Sequence, residues 1–236
     1  SLRRPHEIDR ALYVLDRVDH AFAIPSHAAE RLVEAGLSRD RITVTGHGVD
    51  CERFAPVERP AGTSIRIGYC GRFRAEKGLD ILLKAARGLD IACVLLGDGP
   101  DRPLLEALAG PRTSFLPPLP YSEIHTFYRS IDVFVLPSIP LPGLVEQFGF
   151  VLLEAMASGV PIIATQIGGI PEVVGDAAVL IPSRDIFALQ KAIQALANDP
   201  ARRQELAARG RQRALQHFRR ELVADKMRQV YRRLLG

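Results

Sequence analysis

The most constraining feature of this chain is a repeating rhythm. Short, continuous apolar runs rich in β-branched residues alternate with stretches of helical spacing. The runs are AFAIP (21–25), ITVT (42–45), IRIGYC (65–70), IACVLL (91–96), TSFL (113–116), IDVFVLP (131–137), VPIIAT (160–165) and AVLIP (178–182). Helical stretches fall between most of them, among them Leu79–Arg87, Pro103–Leu108, Glu123–Ser130 and Val151–Ala157. Strands that are apolar at every position are buried on both faces, the condition of a parallel sheet covered by helices on each side. The expectation is an α/β fold, a doubly wound, Rossmann-like parallel sheet.

The stretch PVERPAGTS (56–64) reads as a linker because Pro and Gly interrupt both periodicities. It sets off residues 65–200 as a ligand-binding domain, followed by amphipathic helices over 201–236. Residues 1–55 offer a long helix at about 6–18 and a second helix opened by Ser26. The strand AFAIP finds no evident partner there, so residues 1–55 are expected to be the tail end of a larger domain whose beginning is absent.

Composition narrows the classes further. With 47% hydrophobic and 25% charged residues in 236, the chain is an ordinary globular one. Its longest apolar runs, roughly six residues, fall far short of the ~20 that span a bilayer. Cys51, Cys70 and Cys93 form no CxxC pair, so neither a disulfide framework nor a zinc site is supported, and a reduced, cytoplasmic setting is expected. Residues 201–236 hold 11 Lys and Arg against three acidic residues, while the remainder carries 20 against 24. Such a basic end reads either as a nucleic-acid or anionic-membrane surface or as the solvated face of packed helices. The helical recurrence of Leu206, Ala214, Leu215, Phe218, Leu222, Met227, Val230, Tyr231 and Leu234 favours the second reading, and no nucleic-acid partner is expected.

In open α/β sheets, ligands sit beyond the carboxyl ends of the strands. After IRIGYC comes GRFRAEKG (71–78). Gly71 permits close backbone approach, and Arg72 and Lys77 set two cations beside a helix start, an arrangement suited to a diphosphate. The alternative is two surface cations at a turn. After IACVLL comes GDGPDR (97–102), a Gly-rich turn that begins at Gly97; it is either a plain loop or a second wall of the site. Neither loop carries the GxGxxG fingerprint of dinucleotide binding, which argues against a nicotinamide-dependent dehydrogenase. The most informative stretch is EQFGFVLLEAMASGVPIIATQIGGIPEVV (146–174). Gly149 marks the helix start, leaving Glu146 on the preceding loop and Glu154 a turn into the helix, pointing into the same cleft. Two carboxylates at different depths, beside the amides of Phe148, Gly149 and Phe150, suit the hydroxyls of a sugar and a ribose. Read blandly, they are a helix-start acid and one exposed glutamate.

At these residues the chain resembles the retaining family 4 glycosyltransferases, which share the GT-B fold of two facing α/β domains. The resemblance is carried by GRFRAEKG, GDGP, IDVFVLPS, the E-x7-E spacing of EQFGFVLLEAMASGVPIIA, and GGIPEVV. SHAAERL, HGVDCERFAP and NDPARRQELAARGRQRA extend it over nearly the whole chain. It implies the C-terminal, donor-binding half of such an enzyme, preceded by the last elements of the acceptor half. Arg72, Lys77 and Glu146 would carry the chemistry, the cations neutralising the departing diphosphate. Gly71, Gly97, Leu119, Phe148, Gly149 and Phe150 would complete the donor site, and Glu154 would take the ribose hydroxyls. The resemblance further implies a nucleotide-sugar donor, a glycan or glycolipid acceptor bound through the missing domain, peripheral contact with the inner face of a membrane, no metal and no further cofactor. The piece itself is expected to bind a nucleoside diphosphate but to transfer sugar poorly. Rival classes are a nucleotide-sugar epimerase of related fold and the non-catalytic binding module of a split enzyme. One departure stands out: Pro117 and Pro118 occupy the loop expected to contact the base, where the family often has glycine.

Overall fold

A computed structural model describes residues 13–58 and 64–236, and the chain divides into two compact units, residues 1–48 with 220–236 and residues 49–219. In the first unit, β1 (Ala21–Ala23) pairs in parallel with β2 (Ile42–Val44), Ala21 opposite Ile42. The strand that lacked an evident partner within residues 1–55 therefore has one there. The intervening α1 (Ser26–Glu34) does begin at Ser26, although the cap is Pro25. Tyr231 of α9 (Arg220–Leu235) packs its ring 5.7 Å from Phe22. The helix expected at about 6–18 lies mostly outside the described residues; its last described turn covers 13–15.

The second unit is built on a six-stranded sheet, parallel throughout: β3 (Ile65–Cys70), β4 (Ile91–Leu96), β5 (Thr113–Leu116), β6 (Val133–Leu136), β7 (Ile162–Thr165) and β8 (Ala178–Ile181). The spatial order is β5-β4-β3-β6-β7-β8, so the winding reverses between β3 and β6. Every residue of β6 and β7 is buried, as continuous apolar runs require, whereas the edge strands β5 and β8 are half-exposed. Right-handed crossovers that run in opposite directions from the reversal place helices on opposite faces. On one face α2 (Leu79–Ala86) packs against α3 (Arg102–Leu108) and α7 (Ile186–Asn198). On the other, α5 (Phe150–Ala157) packs against α4 (Ile124–Tyr128), α6 (Ile170–Val174) and α8 (Pro200–His217).

The units do not divide where composition suggested. Residues 49–55, expected with the N-terminal piece, belong to the second unit, where Cys51 and Phe54 are buried. The reason is Arg211 on α8. Its Nη1 donates to the carbonyls of Cys51 (2.9 Å) and Phe54 (3.0 Å) and to that of Ala157 (2.6 Å), the last residue of α5. The expected C-terminal block over 201–236 is likewise split, α8 staying with the sheet and α9 joining the first unit. Of the linker 56–64, residues 59–63 lie outside the described residues. Hydrogen bonds to a charged donor contribute about 1.5–3 kcal/mol each, and orphaning buried carbonyls adds to the loss. Arg211→Met is therefore expected to destabilise the chain by roughly 2–4 kcal/mol, read as a lowered urea midpoint with unchanged slope.

Candidate active site

Loops from four strand ends meet at the reversal point, and backbone contact sets their spacing. The amide of Gly71, the residue after β3, donates to Leu96 O at the end of β4, and Gly97 donates to Leu116 O at the end of β5. Gly97 adopts φ +141°, and any Cβ there would collide with the carbonyl oxygen of Gly71. A side chain at Gly97 would push the β3 and β4 loops apart, and one at Gly71 would meet the Tyr69 hydroxyl. Tyr69 Oη donates to the carbonyl of Arg72 at 2.9 Å, which fixes that residue's backbone and leaves its guanidinium exposed, with no ion pair among the described residues. The loop then closes in a 3-10 turn (Ala75–Lys77) tied to the end of β6, since Ile139 N donates to Glu76 O at 2.8 Å.

That tie brings Lys77 to Glu146. Lys77 Nζ lies 2.6 Å from Glu146 Oε2, with the two side chains only 19% and 14% exposed. Ser138, two residues beyond β6, donates its hydroxyl to the same oxygen at 3.1 Å, and Thr165 at the end of β7 donates to Ser138 O at 2.7 Å. Glu146 is also held through its backbone: Gly169 N donates to Glu146 O at 3.0 Å, and a Cβ on Gly168 would strike that carbonyl. Lys77 and Glu146, separated by 69 residues, are thus brought together as a largely buried pair.

Other expected residues fall as follows. Gly149, at φ +72°, caps α5 and Phe150 begins it, so Glu146 stands on the loop before the helix, as expected. Phe148 is buried, its ring edge-on to Phe218 at 6.0 Å. Leu119 lies half-buried among Pro117, Pro118 and Pro120, and carries the one backbone N–H between Leu116 and Tyr121. Glu154 is more deeply buried than expected. The residue is 3% exposed, on a helix buried throughout from Leu152 to Ala157. Its Oε2 accepts a 2.7 Å hydrogen bond from Tyr128 Oη. Burial pushes the Glu154 carboxyl up to about 7, against the opposing pull of the Tyr128 hydrogen bond, and pushes the neighbouring Cys70 thiol up to about 12.

Sequence reasoning missed Ser138, Thr165, Gly168 and Tyr128. A hydroxyl at or just beyond the end of a buried strand was a usable signal for Ser138 and Thr165, whereas nothing in one sequence links Tyr128 to a glutamate 26 residues away. Among the described residues, no cluster of His, Cys, Asp and Glu is placed to hold a metal ion. A cavity of about 420 Å³ beside Arg87, Asp90 and Arg112 opens at the other ends of β4 and β5, and none of the residues gathered at the reversal point lines it.

Residues 51–213 match the model of the glycosyl transferases group 1 family. The chain belongs to that family. It is similar to D-inositol 3-phosphate glycosyltransferase of Xylanimonas cellulosilytica, at 34% identity over 90% of this chain and 56% of the relative. It is also similar to alpha-maltose-1-phosphate synthase of Mycolicibacterium smegmatis, at 28% identity over 93% of this chain and 64% of the relative. The chain spans about half the length of the curated relatives it matches. In structure it is similar to sucrose-phosphate synthase of Thermosynechococcus elongatus, with a TM-score of 0.81, 28% identity, and coverage of 99% of this chain and 63% of the other. Anabaena HepE in complex with UDP and glucose aligns with a TM-score of 0.80 at 19% identity, covering 96% and 66%, and shares the fold.

The group 1 chain should show its buried carboxyl in a pH titration of stability. Folding raises the Glu154 pKa from 4.5 to about 7, so between those values the folded state holds a proton that the unfolded state releases. Stability from this group is therefore complete below pH 4.5 and is lost as pH rises through 7, by about 3 kcal/mol at ~1.36 per unit. Urea unfolding at pH 4.5 and pH 8 should show Glu154→Gln losing markedly less than the unaltered chain; equal losses would count against the buried carboxyl.

Proposed function

We propose that this chain is the donor-binding portion of a retaining glycosyltransferase, which moves a sugar from a nucleoside diphosphate to a glycan or glycolipid acceptor. The observation that carries the reading is the Lys77–Glu146 pair at the reversal of the sheet, with the exposed Arg72 on the same loop. Open α/β sheets bind ligands at that crevice, and two cations there match a diphosphate.

In this reading the diphosphate engages Arg72 and draws Lys77 from Glu146 toward itself. The cations then stabilise charge as it develops on the leaving nucleotide, the interaction that counts most in the transition state. Glu146, released from Lys77 but still anchored through Ser138 and Gly169, accepts from hydroxyls of the transferred sugar, beside the amides of Phe148 and Gly149. Glu154 accepts from the ribose, and Gly71, Gly97 and Leu119 line the nucleotide with backbone. No metal or further cofactor takes part, and contact with a membrane is peripheral; among the described residues no helix is long and apolar enough to cross one. Relatives about twice as long support placing acceptor binding outside residues 49–219, and the 236 residues alone are expected to transfer sugar weakly.

The test is thermal unfolding with UDP, GDP, ADP and CMP. A ligand at 100 times its dissociation constant adds about 2.7 kcal/mol, a rise of about 5–10 °C for a unit this size. A nucleoside diphosphate should raise Tm, and Arg72→Ala and Lys77→Ala should each abolish most of the rise. A shift that survives both substitutions, or none with any diphosphate, would overturn the reading.

A further inference from the structure

Tyr128 is wholly buried on α4, and its ring is boxed by three others. Phe54 stands at 5.9 Å, Phe127 at 5.4 Å and Phe134 at 5.6 Å, the first two edge-on. This packing encloses the ring and its hydroxyl meets α5. There the oxygen lies 2.7 Å from Glu154 Oε2 and 3.2 Å from Val151 O. A phenol has one proton, and the shorter contact, with the Glu154 carboxyl, takes it.

Glu154 has no ion pair among the described residues, and its Oε1 has no hydrogen-bond partner among them. Among the described residues one hydroxyl is therefore the only protein donor to a nearly buried carboxylate, and it occupies one oxygen only. A free carboxylate rotates about its last bond and presents either oxygen, whereas one tethered at Oε2 presents Oε1 in a single direction. Glu154 lies one helical turn after Phe150, where α5 opens beside the Glu146 loop.

We infer that Tyr128 is a positioning residue for donor recognition, its hydroxyl holding Glu154 Oε2 so that Oε1 is presented to the ribose hydroxyls of the nucleotide. This rests on the reading of Glu154 as the ribose acceptor. Tyr128 does not touch the ligand; it acts through Glu154 by fixing which lone pairs face outward and by compensating part of the burial of their charge.

The experiment is calorimetric titration of UDP and of 2′,3′-dideoxy-UDP into the chain and into its Tyr128→Phe and Glu154→Gln variants. The unaltered chain should bind UDP at least about tenfold more tightly than the dideoxy compound, the scale of a hydrogen bond to a charged group. Tyr128→Phe keeps the ring and its packing, and should bring UDP down toward the dideoxy affinity while leaving the dideoxy affinity unchanged. Glu154→Gln should do the same, and the double variant should lose little more than either alone. Equal weakening of both ligands in Tyr128→Phe marks a merely structural tyrosine and overturns the inference, as does full retention of the preference for UDP; both outcomes leave the ribose reading standing. An unaltered chain that binds UDP and the dideoxy compound alike overturns the ribose reading and the inference with it. Should Tyr128→Phe fail to fold, 3-fluorotyrosine at position 128 supplies the same ring with a more acidic hydroxyl. It should tighten UDP selectively, and an unchanged preference overturns the inference.

Discussion

One ion pair holds the two halves of the sheet's open edge in register. Lys77 follows β3 and Glu146 follows β6, and these neighbouring strands are the two between which the winding reverses. At 2.6 Å and mostly buried, neither charge is tolerable without the other, since removing one partner of such a pair costs about 3–5 kcal/mol. The pair is therefore a standing constraint on both loops, reinforced by Ser138 on the carboxylate and by Gly169 on the backbone behind it. A polar site can persist there without a ligand because its charges already balance. In the reading proposed above, an arriving dianion competes with Glu146 for Lys77, while Arg72, exposed and without an ion pair among the described residues, stands on the same loop.

Around that pair the site is shaped chiefly by backbone. The β3 and β4 loops interlock at Gly71 and Gly97, and the β7 loop presses on Glu146 through Gly168 and Gly169, the approaches at Gly97 and Gly168 being too close for a side chain. Backbone contacts position more rigidly than rotameric side chains, so the few side chains that do enter the crevice start from well-defined points. Gly78 in GRFRAEKG, Gly97 and Gly99 in GDGP, and Gly168 in GGIPE are required by such backbone approaches, which is why the same stretches stand out when the sequence is read alone.

That requirement explains what was legible. The eight strands follow from apolar continuity, and their observed ends differ from the runs in sequence by two residues at most. Lys77, Glu146 and the helix start at Gly149 follow from spacing and punctuation at strand ends. The orientation of Glu154 was not legible, because FVLLEAMA is apolar on all sides and shows no stripe to say which way one polar residue turns. The unit boundaries were not legible either. Pro and Gly mark residues 56–64, but the division is decided by Phe54 and Cys51, bound to Arg211 some 160 residues later. Partnerships across such distances, like Tyr128 with Glu154, exist only once the sheet has brought the elements together.

Helix α5 joins these threads. It is buried on every side, its first turn adjoins the Glu146 loop, and its last carbonyl is tied by Arg211 to the segment at residues 51–54. An element held at both ends and on all faces cannot tilt to relieve strain. A carboxylate placed within it must accept the surroundings it finds, which among the described residues include one hydroxyl and no paired cation. A stability-driven core would fill that position with an apolar residue, since burying a poorly compensated charge costs several kcal/mol. A glutamate kept there, with its acidity displaced by burial beside a ligand-type crevice, is better explained by what its remaining oxygen can bind than by anything it contributes to the fold.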